Sequence, residues 1–187
     1  MAEKIGLFYG SSTGAGEQVA YHIKEIIEQS GLATVDLAIV SGDSLKVMES
    51  YKYLIFGCST WNIGELQDDW DVKYNELDTV DFKGRKVALY GNGDQYGYSN
   101  SFVDSIGIIA EKIAPRGAEI VGFWPSDEFE FEFSRGSVPG DIIMGLPLDD
   151  DNQPEKTKQR TVNWVYWVME QFGMPMPLEE TAETEAA

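Results

Sequence analysis

The stretch Gly10–Gly16, with the sequence GSSTGAG, contains residue types that can bind an anion through neutral groups. It joins an apolar run to a segment of helical periodicity, so its backbone N–H groups stand at a helix N-terminus, where negative charge is favoured. Ser11, Ser12 and Thr13 add hydroxyl donors, and the stretch contains no lysine or arginine. The GK[ST] sequence of triphosphate hydrolases and the dinucleotide-binding fingerprint are both absent. We therefore predict a phosphate site held by neutral donors, with an ordinary capped turn as the alternative.

Two aromatic side chains stand on loops that follow apolar, strand-like runs. Trp61 lies on the loop Ser59–Leu66, and Tyr98 lies on the glycine-containing loop Tyr90–Asn100. An exposed indole is costly unless something flat lies against it, although a single loop aromatic more often serves packing. If the two strands are neighbours, both rings project at the same sheet edge as the anion loop. The combination favours a flat conjugated ligand that carries a phosphate tail.

The elements that must position these loops alternate between strands and helices. The first helical pattern places Val19, Ile23, Ile26 and Ile27 on one face and ends at Gly31. Strand-like runs cover Lys4–Tyr9, Thr34–Val40, Tyr51–Phe56, Lys86–Tyr90, Glu119–Phe123 and Ile142–Leu148, and further helical patterns cover Leu66–Leu77, Phe102–Ala114 and Glu155–Phe172. This alternation predicts an α/β protein with a doubly wound parallel sheet, whose ligands bind at the carboxyl ends of the strands.

Two segments interrupt the alternation. Residues Pro125–Asp141 alternate aromatic and acidic side chains and then carry turn residues, which indicates an inserted hairpin that interrupts the last strand. The terminal sequence PMPLEETAETEAA is acidic and lacks an apolar face, so we expect it to be disordered.

The charge balance narrows the classes of partner. Asp and Glu number 32 against 14 Lys and Arg, which gives a formal charge of -18. Such a protein is repelled by nucleic acid and by anionic membrane surfaces, and no apolar run is long enough to span a bilayer. The charge favours a basic protein partner that associates more slowly at high salt.

The single cysteine and the N-terminal sequence bear on the cellular compartment. Cys58 has no second cysteine with which to form a disulfide, and MAEKIGLFYG enters a strand-like run without a signal peptide. We therefore expect a reducing compartment, namely the cytoplasm, or the plastid stroma if a transit peptide has been removed.

Several isolated residues invite a functional role but favour a structural one. We expect His22 to pack at a helix flank, Cys58 to be a small buried hydrophobe, and Trp164 and Trp167 to be core contacts of the last helix. Trp124 fits packing and ligand contact equally well. The cluster Asp68–Asp71 is predicted to be a solvated face that could help to dock a partner, and the run Asp149–Asp151 lacks the spacing of an EF-hand.

The motifs GSSTGAG, TWNIGELQDDW and GDQYGYSNSF, together with GLPLDDDNQPEKT, resemble those of the long-chain flavodoxins. The similarity runs from Lys4 to about Phe172. It implies a three-layer sandwich around a five-stranded parallel sheet in the order 2-1-3-4-5, with an insertion that splits the fifth strand. It also implies a single domain over residues 1–173 that binds FMN non-covalently, followed by the acidic tail 174–187.

The resemblance also implies the binding residues. The FMN phosphate would be cradled by Ser11, Ser12, Thr13, Gly14, Ala15 and Gly16. The isoalloxazine ring would lie between Trp61 and Tyr98, with its edge along Thr60, Asn62, Ile63 and Gly64, its pyrimidine side at Asn92, Gly93 and Asp94, and its ribityl chain near Asp151. The family loop usually ends in a lysine and a threonine where this chain has Ala15 and Gly16. We expect the lost hydroxyl contact to weaken phosphate binding by ~1 kcal/mol.

By the same resemblance, the chain is an electron carrier and not an enzyme. It would shuttle single electrons at low potential, because nearby carboxylates disfavour the anionic reduced flavin by roughly 2 kcal/mol, or about 90 mV, each. The implied partners are basic redox proteins such as ferredoxin–NADP reductase, and photosystem I in a photosynthetic host. We expect a monomer.

Two other functions can be built on this fold. An FMN-dependent NAD(P)H:quinone reductase requires a nicotinamide to lie over one flavin face, which Trp61 and Tyr98 would cover. A phosphoacceptor signalling domain requires an aspartate at the end of the third strand, where this chain has Gly57 and Cys58. The first remains the alternative, and the second is rejected.

Overall fold

A computed structural model describes residues 2–177, which form a parallel β-sheet between two layers of helices. The strands of the main sheet are β1 (Glu3–Tyr9), β2 (Ala33–Ile39), β3 (Tyr53–Gly57), β6 (Lys86–Asn92), β7 (Glu119–Val121) and β11 (Leu146–Leu148). Short strands elsewhere are β4 (Thr60–Trp61), β5 (Glu65–Leu66), β8 (Trp124–Pro125), β9 (Ser137–Val138) and β10 (Ile142–Ile143). The α-helices are α1 (Ala15–Gln29), α2 (Asp68–Lys73), α3 (Asp104–Ile113) and α4 (Pro154–Gln171), and 3₁₀ turns cover Leu45–Ser50, Tyr74–Thr79 and Ala114–Arg116.

The main sheet has the order β2-β1-β3-β6-β11, and β7 also pairs with β6. The first half of the fifth strand aligns Glu119 with Lys86 at the start of β6, and the second half aligns Leu146 with Tyr90 near its end. The predicted order, with an insertion that splits the fifth strand, is therefore confirmed.

The two faces of the sheet bury alternate residues of each strand. In β3, Ile55 packs in the core beneath α1 and α4, whereas Leu54 and Phe56 pack in the core beneath α3. All three side chains are almost fully buried. Because successive strand residues point to opposite faces, a strand covered by helices on both sides is apolar throughout, which explains the continuous apolar runs.

The inserted segment is less regular than a hairpin. Strands β8, β10 and β9 form a small antiparallel sheet in that order, and each is two residues long. Most of Pro125–Asp141 follows an irregular path, and just before α3 the ring of Phe102 lies 5.3 Å from that of Phe129 between centroids. The segment thus forms an outer layer beside the sheet edge.

The prediction for Trp167 is wrong. Trp164 is buried and donates its indole N–H to the carbonyl of Gly122 at 2.7 Å, but Trp167 is 42% exposed. Three positions further along the helix, the ring of Trp167 packs against that of Trp124, with centroids 6.2 Å apart. Trp124 therefore serves packing. It is partly buried and packs against the core clusters on both faces of the sheet.

The second helix is shorter than its apolar pattern indicates. The prediction covered Leu66–Leu77, whereas α2 spans Asp68–Lys73 and a 3₁₀ turn continues from Tyr74. The Gln67 side chain accepts a hydrogen bond from the backbone N–H of Asp69 at 3.1 Å, and this cap fixes the helix start.

The last described residues extend beyond the predicted domain boundary at residue 173. Met174 donates its backbone N–H to Met169 at 2.8 Å, and Met174 and Met176 pack against the core beneath α4. Residues 178–187, which carry most of the predicted acidic tail, lie outside the described residues. Within residues 2–177 no helix is both long and apolar enough to cross a membrane.

Glu76 is expected to stabilise the protein only above acidic pH. Its carboxylate accepts hydrogen bonds from Lys73, Ser44 and the backbone of Leu45, which lowers its pKa to about 2. Because the folded-state pKa lies below the unfolded value, this stabilisation is complete above pH ~4.5 and is lost as the pH falls through about 2. Glu76→Gln should therefore lower the urea midpoint at pH 7 but much less at pH 3.

Asp71, an exposed acidic residue five positions before Glu76, provides the control. Asp71→Asn should change the urea midpoint little at pH 7 or at pH 3. An equal loss for Glu76→Gln at both pH values would show that its charge contributes nothing.

Candidate functional site

A cavity of ≈ 430 Å³ opens at the carboxyl edge of the sheet. The loops after β1, β3, β6 and β11 supply its lining, as the parallel topology requires. The lining residues are Thr13, Ala15, Ser59, Thr60, Trp61, Asn62, Asn92, Gly93, Asp94, Tyr98, Ser101, Asp150 and Asp151.

Most of the predicted binding residues meet at this cavity, but some do not line it. Those outside the lining are Ser11, Ser12, Gly14, Gly16, Ile63 and Gly64. Conversely, Ser59, Ser101 and Asp150 line the cavity and were missed. Ser59 and Asp150 each stand next to a predicted residue, which is a usable signal, whereas nothing in the sequence distinguishes Ser101 from other loop serines.

The loop between β1 and α1 forms a tight turn at the N-terminus of α1. Gly14 caps α1 with φ of 91°, a left-handed conformation that favours glycine. Its backbone N–H donates to the hydroxyl of Ser11 at 3.0 Å, which closes the turn. Thr13 and Ala15 face the cavity from this loop. Ser11 therefore shapes the loop, while Thr13 and Ala15 line the cavity.

Gln67 supports this loop from below. It is only 2% exposed, and a Cβ placed on Gly10 would lie 1.9 Å from its amide oxygen. Its amide N–H₂ donates to the Ser12 hydroxyl at 3.1 Å and to the Asp69 carboxylate at 2.9 Å. Asp69 also accepts from the backbone N–H of Ser11 at 3.4 Å. Asp69, which was predicted to lie on a solvated face, therefore supports the loop between β1 and α1.

Trp61 stands on a short hairpin anchored to α3. It pairs with Glu65 across β4 and β5, and its side chain is 37% exposed. The Thr60 hydroxyl accepts from the backbone N–H of Ser105 at 3.0 Å, and the Ser105 hydroxyl donates to the carbonyl of Cys58 at 2.7 Å. These bonds fix the base of the hairpin from which the partly exposed indole projects.

The tip of this hairpin lies over a buried carboxyl group. Asn62 and Gly64 both have positive φ, at 46° and 82°. A Cβ on Gly64 would lie 2.6 Å from a carboxylate oxygen of Asp104, so only glycine fits. Burial raises the pKa of Asp104, although a hydrogen bond from the backbone of Arg135 opposes the rise. Ile63, at the outermost point, is 85% exposed.

Asp94 organises the loop that carries Tyr98. Its carboxylate accepts from the backbone N–H groups of Gly97 at 2.7 Å and Tyr96 at 3.0 Å, and from the Asn152 amide at 2.9 Å. The bond from Gly97 contributes most to the lowered pKa of Asp94. The loop is thereby curled, and the Tyr98 ring is 49% exposed beside the cavity.

The side chains that line the cavity include acidic residues and no basic ones. Asp94, Asp150 and Asp151 line it, and none of the lining residues is cationic. Burial, followed by repulsion from the neighbouring aspartates, raises the pKa of Asp151. Asn92 donates to Asp150 at 2.7 Å, while its buried amide oxygen has no partner among the described residues. That oxygen is an acceptor available to an N–H group of a ligand.

Cys58 and His22 take no part in this cavity. Burial raises the pKa of the Cys58 thiol to about 12, so it behaves as the small hydrophobe that was predicted. His22 is half-buried on α1, at a distance from the carboxyl edge of the sheet.

An open α/β sheet, a cation-free anion loop and two loop aromatics beside one cavity define a class of protein that binds a flat ring with an anionic tail. The family model described as "Flavodoxin" matches residues 7–164 of this chain. The chain therefore belongs to the flavodoxin family.

The sequences of individual relatives align with nearly the whole chain. The flavodoxin of Nostoc sp. is 47% identical over 93% of this chain and 100% of its own length. The flavodoxin of Synechococcus elongatus is 44% identical over 91% and 99%, and flavodoxin 1 of Escherichia coli is 42% identical over 90% and 94%.

Solved structures show the same architecture. The Fusobacterium nucleatum flavodoxin bound to flavin mononucleotide superposes with a TM-score of 0.84 at 25% identity, covering 90% of this chain and 98% of that one. Oxidised flavodoxin 2 from Bacillus cereus gives a TM-score of 0.71 at 26% identity, with 90% and 99% covered.

Proposed function

We propose that this chain binds FMN at the carboxyl-edge cavity and carries single electrons at low potential between redox proteins. The observation that carries the proposal is the cavity itself, which runs from the neutral anion loop at Thr13 to a space flanked by Trp61 and Tyr98. The FMN in the Fusobacterium nucleatum relative supports this choice of ligand.

The residues present fit FMN. The β1–α1 loop offers backbone N–H groups and the Thr13 hydroxyl to the phosphate, and Asp151 lies within reach of a polyol chain in the same cavity. The unpartnered oxygen of Asn92 can accept from the N–H of the pyrimidine edge. Trp61 and Tyr98 supply the apolar faces that a conjugated ring requires.

Bound FMN supplies a ring that accepts and releases one electron at a time. The protein controls the energy of that exchange through charge. Asp94, Asp150 and Asp151 stand in the wall without a cation among the lining residues, so additional negative charge in the cavity is disfavoured. Each carboxylate makes electron uptake less favourable, which supports a low potential.

The geometry favours a carrier over the NAD(P)H:quinone reductase alternative. Trp61 and Tyr98 on opposite loops would leave no flavin face open to a nicotinamide. Under anaerobic conditions, NADPH alone should therefore leave the flavin absorbance unchanged, whereas NADPH with a catalytic amount of a ferredoxin–NADP reductase should bleach it. Prompt bleaching by NADPH alone would establish the enzyme instead.

The partners that we propose are basic redox proteins, including ferredoxin–NADP reductase and, in a photosynthetic host, photosystem I. The charge of -18 and the exposed acids Asp68 and Asp71 beside the Trp61 hairpin support them. Electron transfer to such a partner should slow steeply as ionic strength rises, because steering between opposite charges is screened. A rate independent of salt would contradict acidic docking.

We also propose a monomer in a reducing compartment such as the cytoplasm. The single, buried cysteine supports this assignment, and a sedimentation experiment at micromolar concentration tests the monomer.

The decisive experiment is an absorption spectrum of the purified protein followed by potentiometric reduction. We expect flavin bands from a ligand that dissociates at acid pH and elutes as FMN, and two separated one-electron steps. The lower step should approach the potential of plant-type ferredoxins, about −400 mV. A colourless protein that does not bind added FMN would falsify the proposal.

Asp69 is expected to oppose binding of the phosphate. Its carboxylate already accepts from Ser11 in the anion loop, so it places a like charge beside an incoming phosphate. Asp69→Asn retains an acceptor for Ser11 and removes the charge. We expect FMN affinity to rise about fivefold at low salt, corresponding to roughly 1 kcal/mol.

Riboflavin, which lacks the phosphate, should bind wild type and Asp69→Asn equally well. The exposed neighbour Asp68 provides a matched control, and Asp68→Asn should have a much smaller effect. Equal gains for FMN and riboflavin would place the repulsion elsewhere in the cavity.

A further inference from the structure

The inserted segment touches the Tyr98 loop through a buried glutamine. Gln95 is fully buried, and its amide oxygen accepts from the backbone N–H of Glu130 in the inserted segment at 2.7 Å. Its amide N–H₂ donates to Asp149 at 2.6 Å, and its backbone N–H donates to the same oxygen at 3.2 Å. Gln95 therefore joins three parts of the chain at one point.

Asp149 links this contact to the remainder of the loop. It is fully buried, and no cation is among its hydrogen-bond partners within residues 2–177. Asn152 donates from its side chain to Asp149 at 3.0 Å and to Asp94 at 2.9 Å, and so it bridges the two carboxylates. Asp94 fixes the conformation of the Tyr98 loop. The Asn152 side chain therefore connects that loop, through Asp149, to the buried Gln95.

Two further contacts press the inserted segment against the same loop. The carbonyl of Ser99 accepts from the backbone N–H groups of Glu132 at 2.9 Å and Phe133 at 3.0 Å. Behind it, the ring of Phe102 lies 5.1 Å from Phe131 between centroids. The inserted segment thus holds the backbone carbonyl of Ser99, the residue directly after Tyr98.

A side chain that is half exposed beside an open cavity has little packing of its own to hold it. Tyr98 is 49% exposed, whereas the loop behind it is fixed by fully buried amide and carboxylate groups. Buried polar groups of this kind are costly unless each is satisfied, and once satisfied they hold one geometry. The position of the Tyr98 ring therefore depends on the backbone that carries it.

We propose that Gln95 is a positioning residue, through which the inserted segment fixes the Tyr98 ring against the flavin. The inference rests on the proposed function and assigns the insertion a role in setting the ligand site. Gln95 acts through Tyr98 and touches no ligand. Loss of its amide should therefore weaken binding of the ring, equally for FMN and riboflavin.

A double-mutant cycle on the full chain tests this coupling. Apoprotein is titrated with FMN and with riboflavin, and binding is followed by quenching of flavin fluorescence. Gln95→Leu should raise both dissociation constants about fivefold in the wild-type background. In a Tyr98→Ala background the same change should have an effect of less than about twofold, because the ring that it positions is absent.

Gln153 is the matched control. It is also a glutamine whose amide holds the inserted segment, donating to the carbonyl of Glu128 at 3.2 Å, but within residues 2–177 its side chain makes no hydrogen bond to the Tyr98 loop. Gln153→Leu should leave both affinities within about twofold of wild type. If it weakens binding as much as Gln95→Leu, the inserted segment acts in a general way and the assignment to Gln95 is overturned.

A second variant covers the case in which Gln95→Leu does not fold. Asn152 is exposed, so Asn152→Ala leaves no cavity while it breaks the bridge between Asp94 and Asp149. It should weaken both ligands about threefold, and Tyr98→Ala should again suppress the effect.

The outcomes separate the two levels of inference. A wild-type protein that binds neither flavin contradicts the proposed function, and this inference with it. A wild-type protein that binds FMN, with a Gln95→Leu or Asn152→Ala effect that persists undiminished beside Tyr98→Ala, overturns the positioning role alone. The positioning role is also overturned if Gln95→Leu and Asn152→Ala both fold and both bind FMN and riboflavin as tightly as wild type.

Discussion

Trp61→Ala is expected to weaken FMN binding about thirtyfold, because a stacked aromatic contact is worth about 2 kcal/mol. The indole stands on a hairpin whose base is fixed to α3 through Thr60 and Ser105, so the backbone that carries it is already in place. Riboflavin should lose affinity by the same factor, since the contact is made to the ring. The measurement is fluorescence quenching on titration of the apoprotein.

Trp167 provides a control of the same residue type. It is 42% exposed, compared with 37% for Trp61, but it packs against Trp124 away from the cavity. Trp167→Ala should therefore leave both affinities unchanged. If Trp61→Ala alters FMN affinity but not riboflavin affinity, the indole contacts the phosphate end and the stacking assignment is wrong.

Gly107→Ala is expected to destabilise the protein by about 3 kcal/mol, although alanine is the better helix former. Gly107 lies in α3, where the backbone of the inserted segment crosses it closely. A Cβ at this position would lie 2.2 Å from the carbonyl group of Arg135 and 2.6 Å from the nitrogen of Gly136. Backbone atoms cannot move aside as a side chain can, so the crossing must open. Urea unfolding measures the loss.

Gly136, on the other side of this crossing, provides the control. A Cβ there would meet its nearest atom at 3.3 Å, and that atom is a side-chain methyl group of Ile143 and not a backbone atom. Gly136→Ala should therefore cost about 1 kcal/mol or less. A Gly107→Ala protein as stable as wild type would mean that the inserted segment does not pack on α3 as described.

Local patterns were sufficient to predict a parallel sheet and the loops that carry Thr13, Trp61 and Tyr98, whereas the strand order and the other lining residues followed from the resemblance to the flavodoxins. The apolar runs around Ile55 and Leu89 are continuous because both faces of their strands are covered by helices. Such a run can be recognised in the sequence alone. Parallel strands end at one edge, so loops that follow neighbouring strands had to meet there. That rule placed Thr13, Trp61 and Tyr98 around one cavity.

The residues that support the cavity could not be found in this way. Gln67 beneath the anion loop and Gln95 beneath the Tyr98 loop are ordinary loop glutamines in the sequence. Each is buried because a segment distant in the chain packs over it: Gly10 over Gln67, and Glu130 beside Gln95. Similarly, Asp149 was one of three consecutive aspartates, and only its burial distinguishes it from the next two.

The sequence by itself determined the α/β class and the aromatic and hydroxyl groups at the cavity, because these depend on periodicity and on the loop residues that come directly after each strand. The strand order followed from the resemblance of its motifs to those of a known family. Only the tertiary structure decided which polar groups are buried, that Trp167 faces outward, and that Gly107 must lack a side chain. Those properties depend on approach between distant segments, and no local pattern encodes such a distance.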